Sequence, residues 1–197
     1  LQQAKSSLLQ QQLTEQSLQA RIQELEQLQP TNIVSIPQIV FDTISETREV
    51  ELRSERGVDY TELRDLLKQQ QWQEADEETT RIILQAANRE NSYLRQEDIE
   101  NFPCEDLRTI NKLWLVYSDD KFGLSIQKKI YESLGGAKEY NRDIWDSFGD
   151  RVGWRKQGRW LSYSELTMDH NAPTGHLPAN ESYTRLLLFL RVKTCGL

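Results

Sequence analysis

Residues 57–88, GVDYTELRDLLKQQQWQEADEETTRIILQAAN, decide the fold class. Asp59 and Glu62 are spaced as a capping box, and Leu63, Leu66 and Leu67 follow on one helical face. Beyond the polar QQQ, a second stretch from about Trp72 to Asn88 brings Trp72, Ala75, Thr79, Ile82, Ile83 and Ala86 round at near-helical spacing. Two helices joined by so short a turn form an antiparallel hairpin. Further along, Pro103 suits the first turn of a helix carrying Leu107, Ile110, Leu113, Trp114 and Tyr117. The next helix, near Ser125 to Leu134, ends at Gly135-Gly136, and a short one from Tyr140 to Phe148 is closed by Gly149. RVGWRKQGRWLSY (151–163) reads as a loop or small hairpin turning at Gly158, and the apolar YTRLLLFLRV (183–192) packs as a helix or seals the core. The expected fold class is all-α, mainly helical, with Trp-rich irregular regions.

Toward the N-terminus the texture changes. Residues 1–29 hold ten Gln and no Gly, Pro or aromatic residue. Leu1, Ala4, Leu8, Leu18, Ile22 and Leu25 fall on an a/d seam, the pattern of an amphipathic, coiled-coil-like helix. So narrow a stripe is marginal alone, so residues 1–29 are expected either to self-associate or take a partner helix, or to form a solvated linker helix. Pro30 stops the helix. Residues 30–56 read as a connector with short strands at NIVSI and QIVFDTI, and residues 57–197 as the core domain. The lack of an initiator Met suggests a piece of a longer, multidomain protein.

Composition removes several function classes. The 197 residues carry a net charge of −7 with a pI near 5.0, which argues against a general nucleic-acid binder. No apolar run is long enough for a transmembrane segment, and no signal peptide is visible. Cys104 and Cys195 form neither a disulfide framework nor a thiolate zinc site by spacing, so the expected setting is reducing and cytoplasmic, extending to a peripheral place at membranes. Cys104 reads as a buried structural thiol. No Walker loop, GxGxxG or GxSxG occurs, and Asp169, His170 and His176 match no standard metal spacing. The chain is expected not to be an enzyme, to need no cofactor, and to hold His176 structurally.

The unusual concentration lies in residues 145–168. Trp145, Phe148, Trp154, Trp160, Tyr163, Leu166 and Met168 stand among Arg142, Arg151, Arg155, Lys156 and Arg159. Aromatic walls with cations at the rim suit a flat apolar ligand bearing carboxylates. The same mix also suits stacked bases, or a Trp-filled core with solvating cations.

Five ordered blocks, GVDYTELRDLLKQQQWQEADEET, IENFPCEDLRTINKLW, YSDDKFGLSIQKKIY, VGWRKQGRWLSY and DHNAPTGHLP, make the stretch from Gly57 to Pro178 resemble the Genomes-Uncoupled-Four family of tetrapyrrole-binding proteins. The resemblance implies an all-α core shaped like a cupped hand, whose groove binds protoporphyrin and magnesium protoporphyrin without catalysis. It also implies stimulation of magnesium chelatase in chlorophyll synthesis, through the chelatase large subunit, and a part in tetrapyrrole signalling. Phe122, Trp154 and Trp160 fall on aromatic positions of the family pattern, as pocket walls or the core just behind them. Leu124, Leu166 and Met168 fall where chelatase-activating members carry Phe, Phe and Trp. The Arg those members place in the second core helix falls on Thr80, with Arg81 next to it, and Arg185 stands in for an Arg-bearing loop after GHLP. With Arg155 and Tyr163 these are the candidate ligand residues, for a protoporphyrin, a magnesium protoporphyrin or a bilin. The departures suggest a divergent paralogue of cyanobacterial type. A second reading is an interaction or sensor module of a signalling protein that has lost tetrapyrrole binding.

Overall fold

Leu63 and Leu67 are wholly buried on one side of the first helix, α1 (Thr61–Lys68), which pairs with α2 (Trp72–Ala86) as a helical hairpin. The turn between them is three residues, with Gln70 in the left-handed region at φ 58°. In this computed structural model the described residues are 49–197, apart from 91, 138, 180–184 and the side chain of Arg185. The expected heptad helix over 1–29 and the strands of the connector lie outside them. Val50–Leu197 is one compact unit. Among the described residues it contains seven α-helices and one two-stranded sheet: α3 (Gln96–Glu100), α4 (Cys104–Tyr117), α5 (Leu124–Ser133), α6 (Arg142–Val152), the hairpin β1 (Arg155–Lys156) and β2 (Arg159–Trp160), a 3-10 turn at Tyr163–Glu165, and α7 (Arg185–Thr194).

The start of α1 differs from the capping-box expectation. The helix begins at Thr61, and Asp59 lies outside it, accepting a 2.9 Å hydrogen bond from the Thr61 amide. The chain is held back at Tyr60, whose buried hydroxyl donates to Asp106 Oδ1 at 2.6 Å. Asp106, in the first turn of α4, is itself fully buried. It also accepts the Ser54 hydroxyl and, at 2.8 Å, the Glu55 amide. Thr109, one turn further, donates to the Arg53 carbonyl at 2.7 Å. Residues 50–56, placed in the connector by their charged composition, are thereby laid against α4. Three acceptor bonds satisfy a carboxylate that would otherwise be expensive to bury.

Trp114 of α4 is fully buried and donates from Nε1 to Thr79 Oγ1 of α2 at 3.0 Å. Thr79 passes its own hydroxyl proton back to the Ala75 carbonyl at 2.7 Å, so the buried indole and hydroxyl are both satisfied. Pro103 caps α4 from just outside rather than opening its first turn.

Helix α6 runs past the expected stop at Gly149 and ends at Gly153, left-handed at φ 79°. Gly149 sits inside the helix for a packing reason: a Cβ there would lie 2.5 Å from the Trp160 ring. Between β1 and β2, Gln157 and Gly158 take φ 52° and 78°, the pair of positive angles a tight two-residue hairpin turn requires.

One expectation is overturned. Cys104 and Cys195, 91 residues apart, form a disulfide, with Cα atoms 5.3 Å apart. Spacing in the sequence carries no sign of it, because it is α7 returning over the start of α4 that brings the two together.

Candidate functional site

Among the described residues the ring-to-ring contacts fall into two clusters. In the first, Phe122 packs edge-on against Trp72 (5.5 Å) and Trp114 (6.4 Å), and the His170 ring lies 6.0 Å away. Phe122 and the neighbouring Leu124 are completely buried, as core rather than as exposed wall. Gly123 between them is at φ 130°, with Asn111 Oδ1 3.2 Å from where a Cβ would stand. That oxygen accepts the Ser125 amide at 2.9 Å and so fixes the start of α5.

The second cluster is a ladder that runs from the interior to the surface. Trp154 is buried and meets Phe148 edge-on at 5.5 Å. Phe148 stacks on Trp145 at 5.2 Å, and Trp145 stacks on Trp160 at 6.1 Å with 24° between their planes. Tyr131 of α5 and Phe189 of α7 close the ladder's inner side, with Phe189 5.6 Å from both Tyr131 and Phe148. The outermost ring, Trp160, is 37% exposed, and its Nε1 reaches Asp146 Oδ1 at 3.2 Å. Leu166 and Met168 are half-buried against the same core.

The segment 175–178 stitches the clusters together. Its His176 carbonyl accepts from Trp154 Nε1 at 2.7 Å, its Leu177 carbonyl from the Gly123 amide at 2.9 Å, and its Gly175 amide donates to the Lys121 carbonyl at 2.9 Å. Gln127 of α5 donates its amide nitrogen to both the Gly175 and Pro178 carbonyls, at 2.9 and 2.8 Å. Asp76 of α2 holds the segment from the other side, accepting the Ala179 amide at 2.6 Å and the Tyr163 hydroxyl at 2.9 Å. Burial, with the Asp76 carboxylate adding to it, pushes the Tyr163 phenol well above its ordinary range, so it stays a donor.

His176 is buried, and its Nδ1 donates to the Val152 carbonyl at 2.6 Å. Burial lowers its pKa below the usual 6.5, so the ring is neutral near pH 7. His170 turns elsewhere, toward the Ser118 carbonyl and Trp72. Among the described residues no group of three or more His, Cys, Asp or Glu is placed to hold a metal ion.

The cations are mostly engaged. Arg155 is largely buried between Asp150 (2.9 Å) and Asp146 (3.3 Å). Arg159 grips Glu165 with both terminal nitrogens, at 2.9 and 2.8 Å. That contact, with the Ser162 amide and hydroxyl, holds the Glu165 carboxyl well below its usual range. Arg81 grips Glu78 through Nε and one terminal nitrogen, while the neighbouring Thr80 hydroxyl donates to the Asp76 carbonyl at 3.2 Å. Arg185 opens α7.

Sequence reasoning thus finds the aromatic positions but not what orients them. Gln127 and Asp76 lie in ordinary amphipathic helices and Phe189 in the apolar C-terminal segment, and only the fold brings them to the site. Gly149 carried a signal, a glycine inside a helical pattern next to Trp and Phe, which marks close packing as well as a stop.

A family model described as GUN4-like matches residues 53–190. The Ycf53-like protein of Synechocystis is 34% identical over 131 residues, covering 64% of this chain and 53% of that protein. A tetrapyrrole-binding protein of Arabidopsis thaliana, described as chloroplastic, is 30% identical over 125 residues, covering 57% of this chain and 44% of its own length. The chain spans about half the length of the curated relatives it matches. Among solved structures, GUN4 from Chlamydomonas reinhardtii superposes with a TM-score of 0.59 at 31% identity, over 73% of this chain and 92% of that one.

Proposed function

The chain belongs to the GUN4-like family, and on that premise we propose that Val50–Leu197 binds a tetrapyrrole without transforming it and serves a regulatory role. The observation that carries this reading is the aromatic ladder inside the matched region: buried Trp154 and Phe148, half-buried Trp145, and Trp160 with 37% of its surface open. A stacked ring held rigid from below offers a preformed flat face, and a flat macrocycle gains from such a face without ordering new side chains. Half-buried Leu166 and Met168 supply aliphatic surface of the kind an apolar ligand covers.

The finer reading is a protoporphyrin, a magnesium protoporphyrin or a bilin, with its propionates paired by a cation. Arg155 already faces two carboxylates, so its charge is better suited to bracing α6 against the hairpin than to holding a ligand. Arg185 remains the proposed propionate partner, and the magnesium chelatase large subunit the proposed protein partner. Titration of the protein with protoporphyrin, magnesium protoporphyrin and biliverdin, followed by absorbance and Trp fluorescence, tests the proposal. Binding of at least one tighter than about 100 μM, roughly 5.5 kcal/mol, is expected; failure of all three at that concentration rejects it.

A further inference from the structure

Helix α7 is attached to the rest of the unit at one end by chemistry that can be reversed. It packs on α3 and α5. Buried Phe189 and Val192 face the interior, and Phe189 supplies the inner rung beside Tyr131, Trp145 and Phe148. Among the described residues, its covalent and polar anchors to other elements gather at the C-terminal end: the Cys104–Cys195 disulfide, Arg191 donating twice to the Phe102 carbonyl, Arg108 donating to the Cys195 carbonyl at 2.8 Å, and Lys128 to the Leu197 carbonyl at 3.2 Å. One covalent link therefore stands among a few polar contacts, six residues beyond the aromatic rung it secures.

We propose that the Cys104–Cys195 disulfide is a reversible modification site, reduced by a dithiol, that latches α7 and through Phe189 sets the packing of the aromatic ladder. Cys195 is buried whereas Cys104 is half-exposed, so a reductant's thiolate attacks Cys104 Sγ. The S–S bond breaks with its electron pair leaving on Cys195, which takes up a proton. The reductant's second thiolate then attacks the mixed disulfide and departs as the oxidised dithiol, leaving the Cys104 thiolate. Two electrons pass from the dithiol to the protein. Cys104 is the first residue of a 14-residue helix, whose dipole favours a thiolate there, although the Glu105 amide beside it already donates to Glu55 at 3.0 Å. The Arg191, Arg108 and Lys128 contacts do not depend on the sulfurs, so they guide α7 back to the same seat on reoxidation.

Hydrogen exchange read by mass spectrometry on the full chain, oxidised and after treatment with dithiothreitol, tests the latch. The reduced protein should gain 2 Da, and amides over 188–197 should exchange about thirtyfold faster or more, the lower end of what losing a disulfide allows, while amides of α2 keep their protection. The Cys104→Ser, Cys195→Ser double variant should match the reduced chain; if it does not fold, the dithiothreitol arm decides alone. No mass gain in the folded protein, unchanged exchange over 188–197, or equal loss of protection in α2 each overturns the proposal. The consequence for ligand, a several-fold weaker protoporphyrin affinity when reduced, rests on the tetrapyrrole reading. Absence of binding in both redox states would reject that reading and leave the latch to be judged by exchange.

Discussion

The two aromatic clusters are built from the same residue types and end differently. Around Trp114 the Trp72, Trp114 and Phe122 rings are all enclosed, with only His170 exposed at the cluster's edge, and the indole and its Thr79 partner are paired inside the core. Along α6 and the hairpin the rings instead climb from buried Trp154 to Trp160, which is 37% exposed and rests against Trp145 and the bare backbone of Gly149. A closed cluster stabilises the fold; a supported but open one keeps a flat surface available. Aromatic content alone does not separate the two roles. What separates them is whether the last ring in the stack has a neighbour.

Three substitutions or conditions test that contrast, the largest effect first. Trp114→Ala should lower unfolding free energy by about 3–5 kcal/mol in denaturant titration, since it removes a fully buried ring and takes the indole donor away from the buried Thr79 hydroxyl. A loss below about 1 kcal/mol would mean the first cluster is not the closed core described. Acid comes next. His176 is depressed by burial, so the unfolded chain takes up a proton near 6.5 that the folded chain refuses. Its contribution to stability is complete above that pH and declines as pH falls below it. His176→Gln should flatten the part of the stability profile just below pH 6.5, and an unchanged profile would show that another group controls it. The smallest effect is expected for Gly149→Ala. Ala favours a helix by up to about 1 kcal/mol, which offsets the clash, so stability should change little. The Trp160 ring, however, must move off α6, and its fluorescence should shift toward that of a solvated indole. An unaltered spectrum would mean the ring does not rest on the glycine.

Much of the fold is legible in the sequence because helical periodicity and glycine stops are local signals. Trp72–Ala86, the helix after Pro103 and the turn at Gly158 all emerge from spacing. What escapes is non-local. Ser54 and the Glu55 amide look like parts of a charged linker until Asp106 is seen to collect them. Cys104 and Cys195 look like isolated thiols until α7 returns to α4. The site divides in the same way. Trp154 and Trp160 stand out by residue type, yet the sequence does not distinguish the buried one from the open one, and the pairing of Arg155 with Asp146 and Asp150 depends on how the hairpin folds back on α6.

Protoporphyrin titration of Trp160→Ala beside the unaltered protein, with stability measured on both, bears most directly on the claim that the open ladder is the ligand face. The account predicts affinity weaker by roughly tenfold, the loss of one stacking face worth up to about 1.5 kcal/mol, with unfolding free energy changed by less than about 1 kcal/mol. Equal affinity in the two proteins would contradict it.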